Sequence, residues 1–298
     1  ECESKALSID ERITNSEGAS VDTHEGCEVY GNTHGFFGHT RKSRQGISCS
    51  VIGGENETMQ RDYWYSASRR QEDLHDASEI GRIAGARTVR RLGARKLNTC
   101  QASVLFEAPV ASSLLSHFIG AISGGALYRK ASFLLDHLGK SIFPDFVRIH
   151  EQPLLPRGMG SSAFDNEGVA TKSRDIVAGG VLEGYVLGSY SARRLGLETT
   201  GNSGGVHNLT IDPGKEDLPG LMKALGQGLL VTELIGFGAA SAVFHQISAS
   251  SYPLVIIVSP SLEKAIPRAQ ESWPDMPTFS PLATSHRWIV RSSDVAKI

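Results

Sequence analysis

Ala111-Ser-Ser-Leu-Leu-Ser-His-Phe-Ile-Gly-Ala-Ile122 is the stretch on which the reading of this chain turns. Ala111, Leu114, Leu115, Phe118, Ile119 and Ile122 fall at i, i+3, i+4, i+7, i+8 and i+11, the repeat of an amphipathic helix. His117 stands where a zincin-type helix would carry its first ligand. Such a helix also needs a second imidazole about one turn on, and a carboxylate to activate the water on the metal. Here Phe118 follows the histidine, and no second histidine occurs in the helix. At about 100° per residue, His117 also lies about 130° from the centre of the apolar stripe. A surface or interface histidine is the preferred reading, and the helix predicts no metal site.

Upstream of this helix the pattern changes. Residues 11–65 are strand-rich, with half-buried alternation at Cys27–Tyr30 and Ile47–Ile52. Turn signals at Asn15–Gly18, Gly31-Asn32 and Gly53-Gly54 separate these runs, so an antiparallel meander is expected. Residues 78–95 predict a helix opened by a capping box, Asp76 with Glu79, and weakened by Gly81 and Gly85. Its Arg87, Arg90, Arg91 and Arg95 are read as a solvated face rather than a binding patch.

Downstream, Val104–Phe106 is a short strand, and Gly124-Gly125 separates the first amphipathic helix from a second at about Ala131–Leu138. Short strands are expected at Gly168–Thr171, Ile176-Val177, Val181-Leu182, Tyr185–Leu187 and Gly228–Thr232, with a helix at Leu218–Leu225. The fold class is therefore α+β: a strand-rich middle segment, then a mostly β C-terminal domain carrying an amphipathic helix pair. The boundaries are placed at 1–97, 98–238 and 239–298. The last segment is a Pro/Ser-rich tail with six of the chain's 12 prolines, expected to be poorly ordered.

Composition narrows the function classes. A net charge of −2 over 298 residues offers no field for nucleic acid or an anionic membrane, so neither is expected to bind. The four cysteines form no CxxC pair, no apolar run approaches the roughly 18 residues of a spanning helix, and the N-terminus has no signal-peptide pattern. A cytoplasmic protein with reduced thiols is the default.

Two further constellations need weighing. Gly201-Asn-Ser-Gly-Gly205 is like the GDSGG around a trypsin-type nucleophile, which would make Ser203 a catalytic candidate. Asn202 replaces the motif's Asp, and no histidine segment of that class lies upstream, so a glycine turn close to a ligand or extended peptide is preferred. Asp165 and Glu167, two apart in Phe164-Asp-Asn-Glu-Gly168, could bind a cation, but no matching ligands stand elsewhere and a loop-structuring role is preferred.

Longer segments carry a more specific signal. Met59-Gln-Arg-Asp-Tyr-Trp-Tyr65, Gly120-Ala-Ile-Ser-Gly-Gly-Ala-Leu-Tyr-Arg-Lys-Ala-Ser-Phe-Leu-Leu-Asp136, Phe164-Asp-Asn-Glu-Gly-Val-Ala-Thr171, Gly188-Ser-Tyr-Ser-Ala-Arg-Arg-Leu-Gly196 and Thr199-Thr-Gly-Asn-Ser-Gly-Gly-Val-His-Asn208 follow one another in this order. They are similar to signature segments of the PmbA/TldE members of the TldD/PmbA metallopeptidase family. Asn15–Gly18 and Leu229–Leu234 extend the resemblance to about residues 5–238.

The resemblance implies a heterodimeric peptidase of peptides or unfolded protein. A TldD-type partner would carry an HExxxH helix, the zinc and the catalytic Glu, and this chain would carry no metal. Phe118 then stands in place of the catalytic Glu and Ile122 in place of the second His. Asp165, Glu167, Gly168, Gly204 and Gly205 are expected to border the peptide channel. The family's N-terminal segment is missing from this sequence, and nothing after Gly238 resembles the family's closing strands, as a shifted reading frame or foreign sequence would produce. Two other functions stay open. One is a regulatory or binding protein of the DNA gyrase modulator type; the other is a self-sufficient serine-dependent peptidase built on Ser203.

Overall fold

A computed structural model describes residues 1–98, 100, 102–234 and 295–297. The elements run α1 (Cys2–Leu7), β1 (Ile13–Gly31), β2 (Phe37–Gly53), β3 (Gln60–Ser68) and α2 (Ala77–Arg91), then β4 (Val104–Phe106), α3 (Ala108–Ala121) and α4 (Gly124–Tyr128). They continue with β5 (Ile149–Glu151), β6 (Arg174–Ala178), β7 (Val181–Leu182), α5 (Ser189–Leu195), β8 (Leu209–Ile211), α6 (Leu218–Leu225), β9 (Leu229–Val231) and β10 (Val295–Lys297). The class is α+β. Glu1–Gly93 with Phe118–Asp212 form one compact unit; Ala94–His117 belong to a second with the described residues from Pro213 on.

In the first unit, β1, β2 and β3 make an antiparallel sheet in that order. The expected short strands are joined into a long ribbon, because the turn signal at Asn15–Gly18 is accommodated as register shifts inside β1. Gly31-Asn32 does open the hairpin turn: the Asn32 carboxamide oxygen accepts the N–H groups of His34 and Phe36. β3 pairs only with the half of β2 from Gln45 on, so the outer half of β2 has no strand partner on its second edge among the described residues.

Helix α2 lies against this sheet, with Cys2, Ala6, Ile13, Cys49, Val51, Ile80 and Ala84 in the core between them. Asp76 caps α2 through the Ser78 N–H (2.8 Å). Glu79 bonds Arg82 rather than closing the capping box. Gly81, which by propensity weakens α2, has a packing reason: a Cβ there would stand 2.1 Å from the Cys2 carbonyl oxygen of α1, a helix not foreseen in the sequence. The arginine face is also corrected. Arg87 and Arg91 are largely buried against Asp62 (3.2 and 3.7 Å), and Arg87 lies over the Trp64 ring, so they hold α2 to β3.

The remainder of the unit is a second sheet in the order β7-β6-β5-β8, all antiparallel. Ile149, Ile176, Val177 and Leu182 are its buried apolar residues. The second amphipathic helix expected at 131–138 is absent. Helical turns fall at Gly124–Tyr128 instead, started by the Gly124 N–H donating to Val186 O. Positive φ at Lys130 (58°) and Asp136 (61°) bars a helix over the next stretch. The runs 168–171 and 185–187 make single bridges rather than strands. In the second unit β4 pairs in parallel with β9, which pairs antiparallel with β10. Apart from Val295–Lys297, the tail assigned to 239–298 lies outside the described residues.

Candidate functional site

Glu151 closes β5 and is only 2% exposed. A carboxylate buried that far must be paired and hydrogen-bonded. Its register partner across the sheet is Arg174, whose Nε donates to Glu151 Oε2 at 3.0 Å. Glu151 Oε1 accepts from Asn202 Nδ2 (2.7 Å), the His207 N–H (2.6 Å) and His207 Nδ1 (3.2 Å). Arg174 also reaches Asn202 Oδ1 and Tyr185 O, both at 2.9 Å. One buried ion pair thus anchors both ends of the turn Gly201–Gly205 to the sheet.

The turn is braced from its other side by the loop Phe164–Gly168. Asp165, also 2% exposed, accepts the Glu167 and Val169 N–H groups on Oδ1 and the Ser203 N–H on Oδ2, at 2.9–3.0 Å. The Asn166 N–H donates to Ser203 O. Glu167 Oε2 accepts the Ser189 N–H at the start of α5 (2.8 Å). The aromatic tip of the ribbon packs on the same loop: Phe36 meets Phe164 edge-on at 5.0 Å, and Tyr30 flanks Phe36 at 6.0 Å. Gly204 sits at φ +102°, a conformation that asks for glycine, and a Cβ there would displace the Asn166 carboxamide.

Between the ribbon and these two loops lies a cavity of about 410 Å³, lined among others by Glu28, Lys42, Asn166, Ser203, Gly204 and His207. A second hollow of about 430 Å³ shares Thr40, Lys42, Ser161 and Ser162 with it and continues past Arg69 to Arg157. The outer half of β2, with no strand beside it, therefore runs along a groove; Ser43 O accepts from Arg69 Nη1 (2.8 Å), and the edge beyond it offers backbone groups of the kind an extended peptide can join as an added strand.

Burial, the largest single influence on Glu151, raises its pKa. The hydrogen bonds from His207 and Asn202 and the charge of Arg174 together outweigh it and leave the pKa below the ordinary 4.5. Glu167 is lowered as well, chiefly by its bond from Ser189. A lowered carboxylate pKa contributes stability that is complete above the unfolded value and is lost as pH falls through the folded one. Thermal unfolding between about pH 5.5 and 3.5 should therefore show a falling midpoint, with a shallower slope in Glu151→Gln. Equal slopes would show that Glu151 does not carry the effect.

Residues 1–92 match the family model described as the PmbA/TldA metallopeptidase central domain, and residues 99–257 match the corresponding C-terminal domain. The chain belongs to the PmbA/TldD metallopeptidase family. It is 46% identical over 239 residues to the metalloprotease PmbA homolog of Haemophilus influenzae, and also 46% identical over 239 residues to metalloprotease PmbA of Escherichia coli O157:H7. Each alignment covers 80% of this chain and 53% of the relative, so the chain spans about half the length of these curated relatives. The crystal structure of a candidate modulator of DNA gyrase from Bacteroides thetaiotaomicron superposes with a TM-score of 0.74 at 32% identity, over 80% of this chain and 55% of that one.

Within this PmbA/TldD chain the residues singled out from sequence fall in two places. Ser203, Gly204, Asp165, Glu167, Gly168 and Gly205 stand together around the cavity and its two supporting loops, with both Asp165 oxygens engaged by backbone N–H groups. Gly168 and Gly205 take φ of +77° and +116°. His117 is half-buried on α3 and belongs to the second unit. Sequence reading missed Glu151, Arg174 and His207. The legible signal was Ile149-His-Glu151, in which positions i and i+2 of a strand share one face and the second is an acid. An acid beside an apolar inward residue asks for a buried partner.

Proposed function

We propose that this chain is the peptide-holding subunit of a two-chain metallopeptidase, whose TldD-type partner supplies the zinc and the water it activates. The observation that carries this reading is the chemistry at 117–122. Phe118 is 1% exposed and packs edge-on against Phe143 at 5.2 Å, and Ile122 is fully buried. A zinc helix needs a carboxylate and an imidazole at such places, so these side chains do not fit a metal. Among the described residues no three His, Cys, Asp or Glu side chains converge on a point that could hold an ion.

This chain's part is to receive the substrate. The free edge of β2 and the rigid Gly201–Gly205 turn present main-chain groups, so recognition is of extended backbone more than of side-chain identity. A cytoplasmic setting is part of the proposal, and among the described residues no helix is long and apolar enough to cross a membrane. The gyrase-modulator description of the Bacteroides structure comes to this chain as a binding role alone. A net charge of −2 favours contact with protein over contact with DNA.

The serine-peptidase alternative has one point in its favour, since Ser203 lines the same cavity as His207. Among the described residues no hydrogen bond joins the two, and the Ser203 hydroxyl adjoins Glu167 instead. A serine needs the imidazole to take its proton. Co-expression with a TldD-type chain, followed by a peptide-cleavage assay, separates the readings. The assembled pair should cleave, the single chain should not, and Ser203→Ala should change the rate of the pair by no more than about twofold, where loss of a nucleophile costs several orders of magnitude. Cleavage by the single chain that Ser203→Ala abolishes would overturn the proposal.

A further inference from the structure

We propose that His207 is a substrate-anchoring residue whose Nε2 accepts a backbone N–H from the extended peptide in the groove. The proposal rests on the peptide-holding reading above and assigns that reading a specific side chain. The imidazole is one of the few ring systems whose two nitrogens can be told apart by their partners. Here Nδ1 lies 3.2 Å from Glu151 Oε1, a carboxylate 2% exposed and already committed to Arg174 and Asn202. An ionised carboxylate only accepts, so Nδ1 carries the proton of this bond, and in the singly protonated ring Nε2 keeps its lone pair.

The ring has little freedom to do otherwise. His207 also donates its own backbone N–H to the same Glu151 oxygen at 2.6 Å, fixing the residue at two points, and its side chain is 13% exposed. No hydrogen bond reaches Nε2 among the described residues, and it is not one of the sealed, unpaired polar atoms. His207 lines the same cavity as Thr40 and Lys42 of β2. Two other polar side chains of the lining are engaged within the protein. Lys42 is paired with Glu28 at 2.8 Å, and Ser161 accepts from Asn208 Nδ2 at 2.7 Å and donates to Leu155 O. A peptide laid along the free edge of β2 has one row of N–H and C=O groups facing that edge and the other facing away. The outward row needs an acceptor on the opposite wall, and an oriented imidazole lone pair is one.

His207→Asn is the discriminating variant, because its amide nitrogen can keep the bond to Glu151 while the Nε2 acceptor is deleted. It should melt with the wild type, yet bind an extended Ala/Ser peptide of about ten residues five- to tenfold more weakly, the usual worth of one neutral hydrogen bond. Nitrogen-15 spectra of histidine-labelled protein should show the Nδ1–H tautomer, and the Nε2 resonance should move when the peptide is added. An Nε2–H tautomer overturns the proposal whatever the peptide does. Peptide-induced shifts at Ser203 and Gly204 with none at Nε2 overturn it too, but leave the peptide-holding reading standing. Shifts at none of these groups overturn both.

Discussion

Glu151→Ala is expected to lower the free energy of unfolding by about 3–5 kcal/mol, the cost of removing one partner from a buried ion pair. The loss has two parts. Arg174, with its side chain 18% exposed, keeps its charge and loses the carboxylate opposite it. The Asn202 amide and both His207 donors lose their acceptor as well, so the turn Gly201–Gly205 comes off the sheet. Since domains are stable by only about 5–15 kcal/mol, the variant should be marginal at body temperature. Chemical denaturation of the variant against wild type measures this directly. Glu151→Gln, which keeps size and one acceptor, should lose less. A Glu151→Ala loss below about 1 kcal/mol would mean that the network is solvated and not structural.

Phe118→Ala should cost about as much, roughly 3–5 kcal/mol, by opening a cavity beneath a fully packed ring. Phe118 is among the largest fully buried side chains and holds Phe143 in an edge-to-face contact. Phe118→Glu is the sharper form of the test. It restores the residue type a zinc helix would place after its histidine, and here it would put a carboxylate into an apolar core without a partner. That chain should fail to fold at neutral pH. A folded Phe118→Glu protein, judged by a cooperative melt within a few degrees of wild type, would contradict the packing described for this helix.

The two substitutions also show what the sequence could disclose. Phe118 and Ile122 were readable because a helical stripe repeats locally, and six apolar positions in phase leave no second interpretation. The ribbon was readable in part: alternation located its strands, whereas their length depended on register shifts that only pairing partners decide. The second amphipathic helix failed because propensity says nothing about positive φ at Lys130 and Asp136. Helix α1 was missed because six residues are too few to show a period. The site was legible on its backbone side, through the glycines and acids of two short loops. Its buried polar side was legible only in the Ile149-His-Glu151 pattern, which does not name the partners. Arg174 and His207 are far from Glu151 in the chain, and each alone resembles an ordinary surface residue.

The peptide-holding account stands or falls on metal stoichiometry. Purified chain, freed of chelator, supplied with excess zinc and desalted, is to be assayed by elemental mass spectrometry. The account predicts well below one zinc per chain, with His117→Ala indistinguishable from wild type. One tightly held equivalent, lost in His117→Ala, would contradict it.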